Sequence, residues 1–482
     1  MAKSIKKNYI FNLIYQVILV VTPLITIPYL SRVLNADGIG EVSFAESVVS
    51  FFVLFANLGI GTYGQREISY YQDDKEKRSE VFWNTFILKI ITSLFIFAVY
   101  LLVALLHFKS KIYLILSLNI LATLFDITWF FQGIEEFGKI VARNIFFKLL
   151  SIVFIFVFIK DRGDAALYAF CIGFFMLLSN LSLYIYVKKY VDRINIKKIS
   201  PFKDFMIVIS LFVPTIGIQI YTVLDKTMIG LITHNNFENG YYDISVRIAK
   251  ILLTIITSLS IAVIPRIGLL YNKKEYETIN DLMYKSYRFV WLVGIPLCLG
   301  IIAISNNFIP WFLGRGYDKT IMLVKILSFL IIAIGINNIT GVQYLIPTKR
   351  ENMFTLSVML GAGLNLCLNM FLIRYFMSIG AAIASIIAET FIALFQLYII
   401  RSEISFKRII MEGKNYYISG VIMFVVTSYI SKKLNPSIHN SMLIIFVGAL
   451  VYFTIIIILK DSFVFDNINS IFSKIMYRLK KR

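Results

Sequence analysis

Apolar residues in this chain come in blocks of about twenty, separated by short polar segments. This spacing constrains the fold more than any other feature. A hydrocarbon core about 30 Å thick is crossed by a helix of about 20 apolar residues. A lipid-facing strand barrel would instead alternate apolar and polar residues over about ten positions, and these blocks do not alternate. The stretch Leu443–Leu459 is apolar on nearly every face, which suits a helix surrounded by lipid and other helices. Composition agrees: 58% of the residues are hydrophobic, against roughly 45–50% in soluble chains. The expectation is an all-α transmembrane fold of about fourteen helices. The spans are expected at about 9–31, 42–65, 83–106, 112–134, 140–159, 165–187, 205–233, 240–265, 287–305, 320–346, 352–373, 378–400, 415–431 and 441–459.

A net charge of +20 would point to nucleic acid in a soluble protein. In a membrane protein it follows from Lys and Arg gathering in cytoplasmic loops, and no nucleic-acid partner is expected. With the amino terminus inside, the inner segments hold about 32 basic residues and the outer ones about ten. The inner set includes Lys3, Lys6 and Lys7, then Lys188, Lys189, Arg193, Lys197, Lys198 and Lys203, and at the end Lys474–Arg482. The outer set includes Arg32, Lys109, Arg315 and Lys432. This bias places both termini in the cytoplasm and requires an even number of spans. Cys171, Cys298 and Cys367 stand singly within apolar blocks and read as small apolar residues, not as disulfide partners. His107, His234 and His439 lack metal-ligand spacing, and no Gly-rich phosphate loop is visible, so neither metal nor cofactor is expected. The first apolar block outruns signal-peptide length and is followed by no small-residue cleavage site. No connecting loop is long, so function is expected within the membrane or at its edges.

Two polar turns suggest an internal repeat. Asn35-Ala-Asp-Gly-Ile-Gly40 joins the first two helices, and Asn235-Asn-Phe-Glu-Asn-Gly240 joins the seventh and eighth. Both end in glycine ahead of an apolar helix of similar length. Prolines precede both, at Pro23 and Pro214, although the proline-to-glycine spacing differs between them. Such a repeat divides the chain into lobes 1–190 and 191–401, of six helices each, and a helix pair with a basic tail, 402–482. Lobes with an even number of helices run parallel, related by an axis along the membrane normal with a central cavity.

Ionisable residues within the expected spans are few: Glu46, Lys89, Asp126, Lys148, Asp225, Lys226, Asp243, Arg247, Lys250, Lys325 and Glu389. A charge at the bilayer centre costs about 2.5–3.5 kcal/mol on insertion scales, so such groups line a cavity, pair, or snorkel. Lys89 and Lys148 lie within two to three turns of an expected helix end, and both are expected to snorkel. Asp225 and Lys226 are neighbours that point to different sides; an interhelical pair and a cavity role are both open. Arg247 and Lys250 are three apart on the eighth helix and share a face. Lys250 is about 15 Å from the outer turn. Two cations on one face at this depth suit an anionic ligand. Structural pairing is the alternative, with Asp243, Asp126 and Glu389 as the available acids. Trp129, Phe131 and Gln132 offer contacts to sugar, with core packing the more ordinary role for the aromatics.

Several segments resemble one family. Asp126-Ile-Thr-Trp-Phe-Phe-Gln-Gly-Ile-Glu-Glu-Phe-Gly-Lys-Ile140, running on to Arg143-Asn144, is similar to the helix four–five signature of the O-antigen and capsular polysaccharide flippases. Ile27-Pro-Tyr-Leu-Ser-Arg-Val-Leu34 with Gly38-Ile-Gly40 resembles their first hairpin. Leu224-Asp-Lys-Thr-Met-Ile-Gly230 with Gly240-Tyr-Tyr-Asp243 resembles their seventh and eighth helices, and Ala262-Val-Ile-Pro-Arg266 the end of helix eight. These later segments also resemble exporters of lipid-linked teichoic-acid repeats and the lipid II flippase.

The resemblance implies a multidrug-and-toxin-extrusion type of fold, two six-helix lobes plus two helices. It implies a transporter, not an enzyme, in the bacterial cytoplasmic membrane. Its substrate would be undecaprenyl-pyrophosphate-linked oligosaccharide, moved to the outer leaflet through a cationic cavity that alternates its access. Membrane lipids and a polysaccharide polymerase with its chain-length machinery are the partners this implies. The matching basic positions are Arg32, Arg143, Arg247 and Lys250. Asp126, Gln132, Asp225 and Lys226 lie in the matching segments and complete the candidate substrate-binding set. Two other readings compete. A cation-coupled multidrug exporter of the same fold usually has twelve helices and an acidic cavity. A repeat-unit polymerase or lipid-linked glycosyltransferase needs acid, base or metal-binding residues beside a sizeable outer surface. The outer acids Asp37, Asp161, Asp164, Glu238 and Asp318 are instead scattered over short turns.

Overall fold

The structure is a computed structural model that describes residues 5–465, except 109 and 196–198; for 5–16, 213–215, 217–222 and 261–262 only the backbone is described. Lys3, Lys109, Lys197, Lys198, the tail Lys474–Arg482 and the side chains of Lys6, Lys7 and Pro214 therefore lie outside the described set. In hydrocarbon an unpaired backbone group costs several kcal/mol, so a spanning segment must close its hydrogen bonds internally. Among the described residues every regular element is accordingly helical. Ten stretches are long and apolar enough to cross a membrane, and Phe406–Glu412 with Lys414–Lys433, bent by 45°, makes an eleventh. The other three expected spans are also helical, at Ile5–Val33, Phe205–Thr233 and Asn236–Thr257 with its continuation. This is a multi-pass membrane protein. It separates into two compact units, 1–243 and 244–482.

The first unit contains α1 (Ile5–Val33), α2 (Asn35–Asn57), α3 (Ile60–Tyr70), α4 (Lys75–His107), α5 (Lys111–Leu124), α6 (Thr128–Gly133), α7 (Phe137–Phe158), α8 (Ala165–Ser182), α9 (Tyr184–Val187) and α10 (Phe205–Thr233). The first turns of α11 (Asn236–Thr257) complete it. Helix α2 is the hub, with α1, α4, α5, α8 and α10 packed on it. Helices overrun the apolar windows where a cap permits. Thus α4 begins at Lys75 because the Asp74 side chain accepts from the Lys77 N–H. Between α2 and α3 the chain breaks at Leu58 and Gly59, both left-handed, with φ of 43° and 70°. A Cβ at Gly59 would come within 2.9 Å of the Phe212 nitrogen and the Val208 carbonyl oxygen of α10. Glycine is thus required there twice, by φ and by close approach. Where α3, α4 and α6 meet, Phe82, Trp129, Phe130 and Phe131 pack with Ile68 and Ile134. Trp129 and Phe131 are 2% and 0% exposed, so these two aromatics belong to the core.

The second unit holds the rest of α11, then α12 (Ser260–Asn272), α13 (Tyr276–Leu313), α14 (Asp318–Leu327) and α15 (Leu330–Asn337). A π-helical segment, Asn338–Leu345, continues α15. It is followed by α16 (Glu351–Phe376), α17 (Ser378–Ile399), α18 (Phe406–Glu412), α19 (Lys414–Lys433) and α20 (Ile438–Ile458). The 38-residue α13 is the counterpart of α2 as hub, packing on α12, α14, α15, α19 and α20. Outside the spans, Arg350 clamps Glu403 with two parallel bonds of 2.7 and 2.8 Å, and the Tyr344 hydroxyl donates to the same carboxylate. Partial burial opposes the charge of Glu403, but these donors outweigh it and hold its carboxyl below the ordinary carboxylate range.

The repeat is visible in the helices. The α2 helix, a two-residue break and α3 recur as α11, a two-residue break and α12: Asn57 corresponds to Thr257 and Ile60 to Ser260. The offset of 200 residues is the same as that between Gly40 and Gly240. The prolines at 23 and 214 do not share it. The two glycines touch reciprocally within the first unit. A Cβ on Gly40 would collide with the Asn236 carbonyl oxygen, and one on Gly240 with that of Ala36. Positions 36 and 40 thus meet 240 and 236, as a two-fold related contact requires.

This contact predicts that Gly40→Ala and Gly240→Ala each lower stability by about 1–3 kcal/mol through overpacking. Gly61→Ala, whose Cβ would meet nothing within 4 Å, should leave the melting temperature of the purified protein unchanged. Equal melting temperatures for all three variants would contradict the close contact.

Candidate functional site

The span expected at about 112–134 is two helices. Phe125, Asp126 and Ile127 lie between α5 and α6. Asp126 explains the restart: its Oδ1 accepts from the Thr128 N–H at 2.9 Å and from the Thr128 hydroxyl, closing an Asx turn. Two cations converge here. Lys89 on α4 is 0% exposed. It donates to the Asp126 carbonyl at 2.9 Å and sits 3.8 Å from the carboxylate. Arg143 on α7 is buried, and its Nη1 donates to the Ser179 carbonyl at 2.8 Å and to Asn180 Oδ1 at 3.1 Å on α8. Its Nη2 reaches the Thr128 hydroxyl at 2.5 Å. Asn180 in turn donates to the Ala122 carbonyl at 2.7 Å, an acceptor left over where α5 stops.

Lys89 therefore does not snorkel. The expectation failed because the ammonium turns inward to the α5–α6 break, where the Asp126 carbonyl and carboxylate receive it. Lys148 is exposed.

Asp225 and Lys226 bind across to α11. Lys226 Nζ pairs with Asp243, which is fully buried, and the Tyr242 hydroxyl donates to Asp225. Neighbours on α10 thus meet neighbours on α11. Arg32 is exposed at the end of α1, with Nη1 donating to the Pro28 carbonyl at 2.7 Å. Gln132 is half-buried at the end of α6. In the second unit Arg247 is half-buried and Lys250 exposed on α11.

A second polar set, missed by the sequence reading, surrounds the π-helical segment. Asn337 Nδ2 donates to the Glu389 carbonyl at 3.2 Å and to its carboxylate. Gln343 donates to Ser260 at 2.9 Å, Ser260 bonds Asn338, and the Tyr287 and Thr340 hydroxyls are 2.7 Å apart. Lone amides inside apolar blocks, such as Asn180, Asn337 and Gln343, were the available signal. Among the described residues no group of three or more His, Cys, Asp or Glu could hold a metal ion.

Comparison with known proteins decides the family. The family described as "Polysaccharide biosynthesis protein" matches residues 5–270, more than half of the chain. This chain belongs to that family. A protein of Escherichia coli (strain K12) described as a candidate O-antigen transporter is 24% identical over 411 residues, spanning 83% of this chain and 97% of that protein. Among solved structures, the lipid II flippase MurJ in an inward closed conformation matches with a TM-score of 0.70 at 17% identity, over 94% of this chain and 99% of that one. An inward-facing multidrug resistance MATE family transporter of the MOP superfamily matches with a TM-score of 0.61 at 15% identity, over 82% and 99%. The chain thus has the all-helical fold of these transporters.

The Asp126 cluster predicts a thermodynamic coupling. Asp126→Ala strands Lys89 in the interior, at a cost of about 3–5 kcal/mol. Lys89→Met in the same chain should recover most of that loss in thermal unfolding of the purified protein. A double variant no more stable than Asp126→Ala alone would contradict the pairing.

Proposed function

We propose that the protein is a flippase. It carries an undecaprenyl-pyrophosphate-linked oligosaccharide from the inner to the outer leaflet of the bacterial cytoplasmic membrane, with both its own termini in the cytoplasm. The observation that carries this reading is a polysaccharide-biosynthesis family match on a chain whose fold follows a flippase over 94% of its length. The description of the Escherichia coli relative as an O-antigen transporter supports the same substrate class. The basic residues support the orientation, through the excess of Lys and Arg in alternate loops.

The physical obstacle is the head group, since a sugar–pyrophosphate cannot shed its hydration and cross about 30 Å of hydrocarbon unaided. Cations along an alternately opening polar cavity replace that hydration. Arg247 and Lys250 are the first candidates, sharing a face of α11, with Arg32 and Arg143 as further basic positions. Asp126, Gln132, Asp225 and Lys226 complete the proposed set; contacts of Asp126 with Lys89 and Thr128, of Asp225 with Tyr242 and of Lys226 with Asp243 make these three positioning groups for it. The lipid chain stays in an apolar environment. A groove of about 390 Å³ in the second unit, lined by Leu297, Ile301, Met423, Ile444, Ala449 and Phe453, suits it. A membrane potential of 100 mV is worth about 2.3 kcal/mol per charge, so a head group with about two negative charges gains about 4–5 kcal/mol on moving outward. The delivered unit is the substrate of a polymerase and its chain-length machinery.

Arg247→Ala combined with Lys250→Ala should abolish surface polysaccharide while the protein remains at normal abundance in the membrane. Normal polysaccharide in that double variant would overturn the charged route.

A further inference from the structure

The break between α2 and α3 opens into a pocket of about 420 Å³ in the first unit, within the usual range for small-molecule sites of about 300–1,000 Å³. It is lined by Ser50, Val53, Leu54, Asn57, Gly59, Gly61 and Thr62, all uncharged. The Ser50 hydroxyl is occupied by the Glu46 carbonyl at 2.7 Å. The side chains of Asn57 and Thr62 have no hydrogen-bond partner among the described residues and face a half-open space. Gly59 gives α3 no side-chain cap, so the backbone N–H groups of its first turn add further donors. At Gly61 a Cβ would meet nothing within 4 Å, so a ligand can approach the bare backbone there.

The pocket is held open by rigid contacts. Gly59 abuts the backbone of α10, and the Tyr63 hydroxyl donates to Asp204 Oδ2 at 2.7 Å. The equivalent break in the second unit is different. There Thr257, in the place of Asn57, returns its hydroxyl to the Leu253 carbonyl at 3.1 Å, and Ser260 is engaged by Asn338 and Gln343. An open, uncharged set of donors and acceptors does not suit a pyrophosphate, which calls for cations. It suits the hydroxyl and acetamido groups of a sugar.

We infer that the α2–α3 break is the subsite that holds the saccharide end of the lipid-linked substrate, apart from the cations that meet the pyrophosphate. This rests on the flippase reading. On the proposed orientation the break lies in the cytoplasmic half of α2–α3, where a substrate made in the cytoplasm would be engaged first.

Thiol labelling tests the assignment without knowledge of the sugar. Full-length protein carries Gly61→Cys in a Cys367→Ser background; the remaining cysteines, Cys171 and Cys298, are buried. Inside-out membrane vesicles are prepared from three matched hosts. One cannot attach the first sugar to the lipid carrier, one stops at the single-sugar lipid pyrophosphate, and one completes the repeat unit. A water-soluble maleimide should label the first two alike and the third severalfold more slowly. Equal labelling in all three would overturn the inference, as would full protection by the single-sugar lipid, which would assign the pocket to the pyrophosphate end. Val53→Cys, at another lining position with no proposed polar contact, serves as a second labelled position, so that a fold defect in one variant does not decide the result. The readout is occupancy, not transport. If deleting the gene leaves surface polysaccharide intact, the flippase reading fails, while protection by the complete unit would still uphold the saccharide site.

Discussion

Inside a bilayer every backbone hydrogen bond and every charge must be answered from within the protein. The helix breaks show this most plainly. Where α2 stops, the Ala56 carbonyl accepts from the Thr92 and Ser93 hydroxyls of α4, at 3.2 and 3.4 Å. Where α5 stops, Asn180 reaches the Ala122 carbonyl. Charges follow the same rule. Lys89 is matched by Asp126, and Lys226 by Asp243. Each interruption of a helix thus fixes a polar side chain on a neighbour, and the polar interior follows from the breaks.

The repeat shows how one device serves two purposes. The α2–α3 and α11–α12 pairs share similar lengths, two-residue breaks and the reciprocal glycine contact. Their breaks have nonetheless diverged. That of the second unit is filled by Ser260, Asn338 and Gln343 beside a π-helical segment, a rare conformation frequent at functional sites. That of the first is open, with Asn57 and Thr62 facing the pocket. A transporter that must bind a charged, sugar-bearing head group can use such an asymmetry, since the two ends of that head group need different chemistry.

The helices were legible because hydropathy alone sets which segments leave water. The helix ends were less so: the polar turn from Lys75 is helical because Asp74 caps it, and the inward course of Lys89 depends on a break in another helix, at Asp126. The breaks at Leu58 and Asp126 left little trace in an apolar periodicity that runs through them. Gly40 and Gly240 were readable as a recurring turn, but their mutual contact was not, because a close approach of two backbones has no signature beyond the glycines. Asp225 and Lys226 were visible as charges without partners. Only the fold supplies Tyr242 and Asp243, seventeen residues on from each. The amides Asn180, Asn337 and Gln343 are each too common singly to be read as a network.

The central claim is that this fold moves a lipid-linked saccharide head group across the membrane. It is tested most directly with purified protein in sealed vesicles containing an undecaprenyl-pyrophosphate-linked oligosaccharide. An impermeant sugar-oxidising or lectin probe outside the vesicles counts the exposed head groups. Head groups should redistribute between leaflets only in protein-containing vesicles, and an inside-negative potential should shift them outward. An identical distribution in protein-containing and empty vesicles, at any potential, would contradict the account.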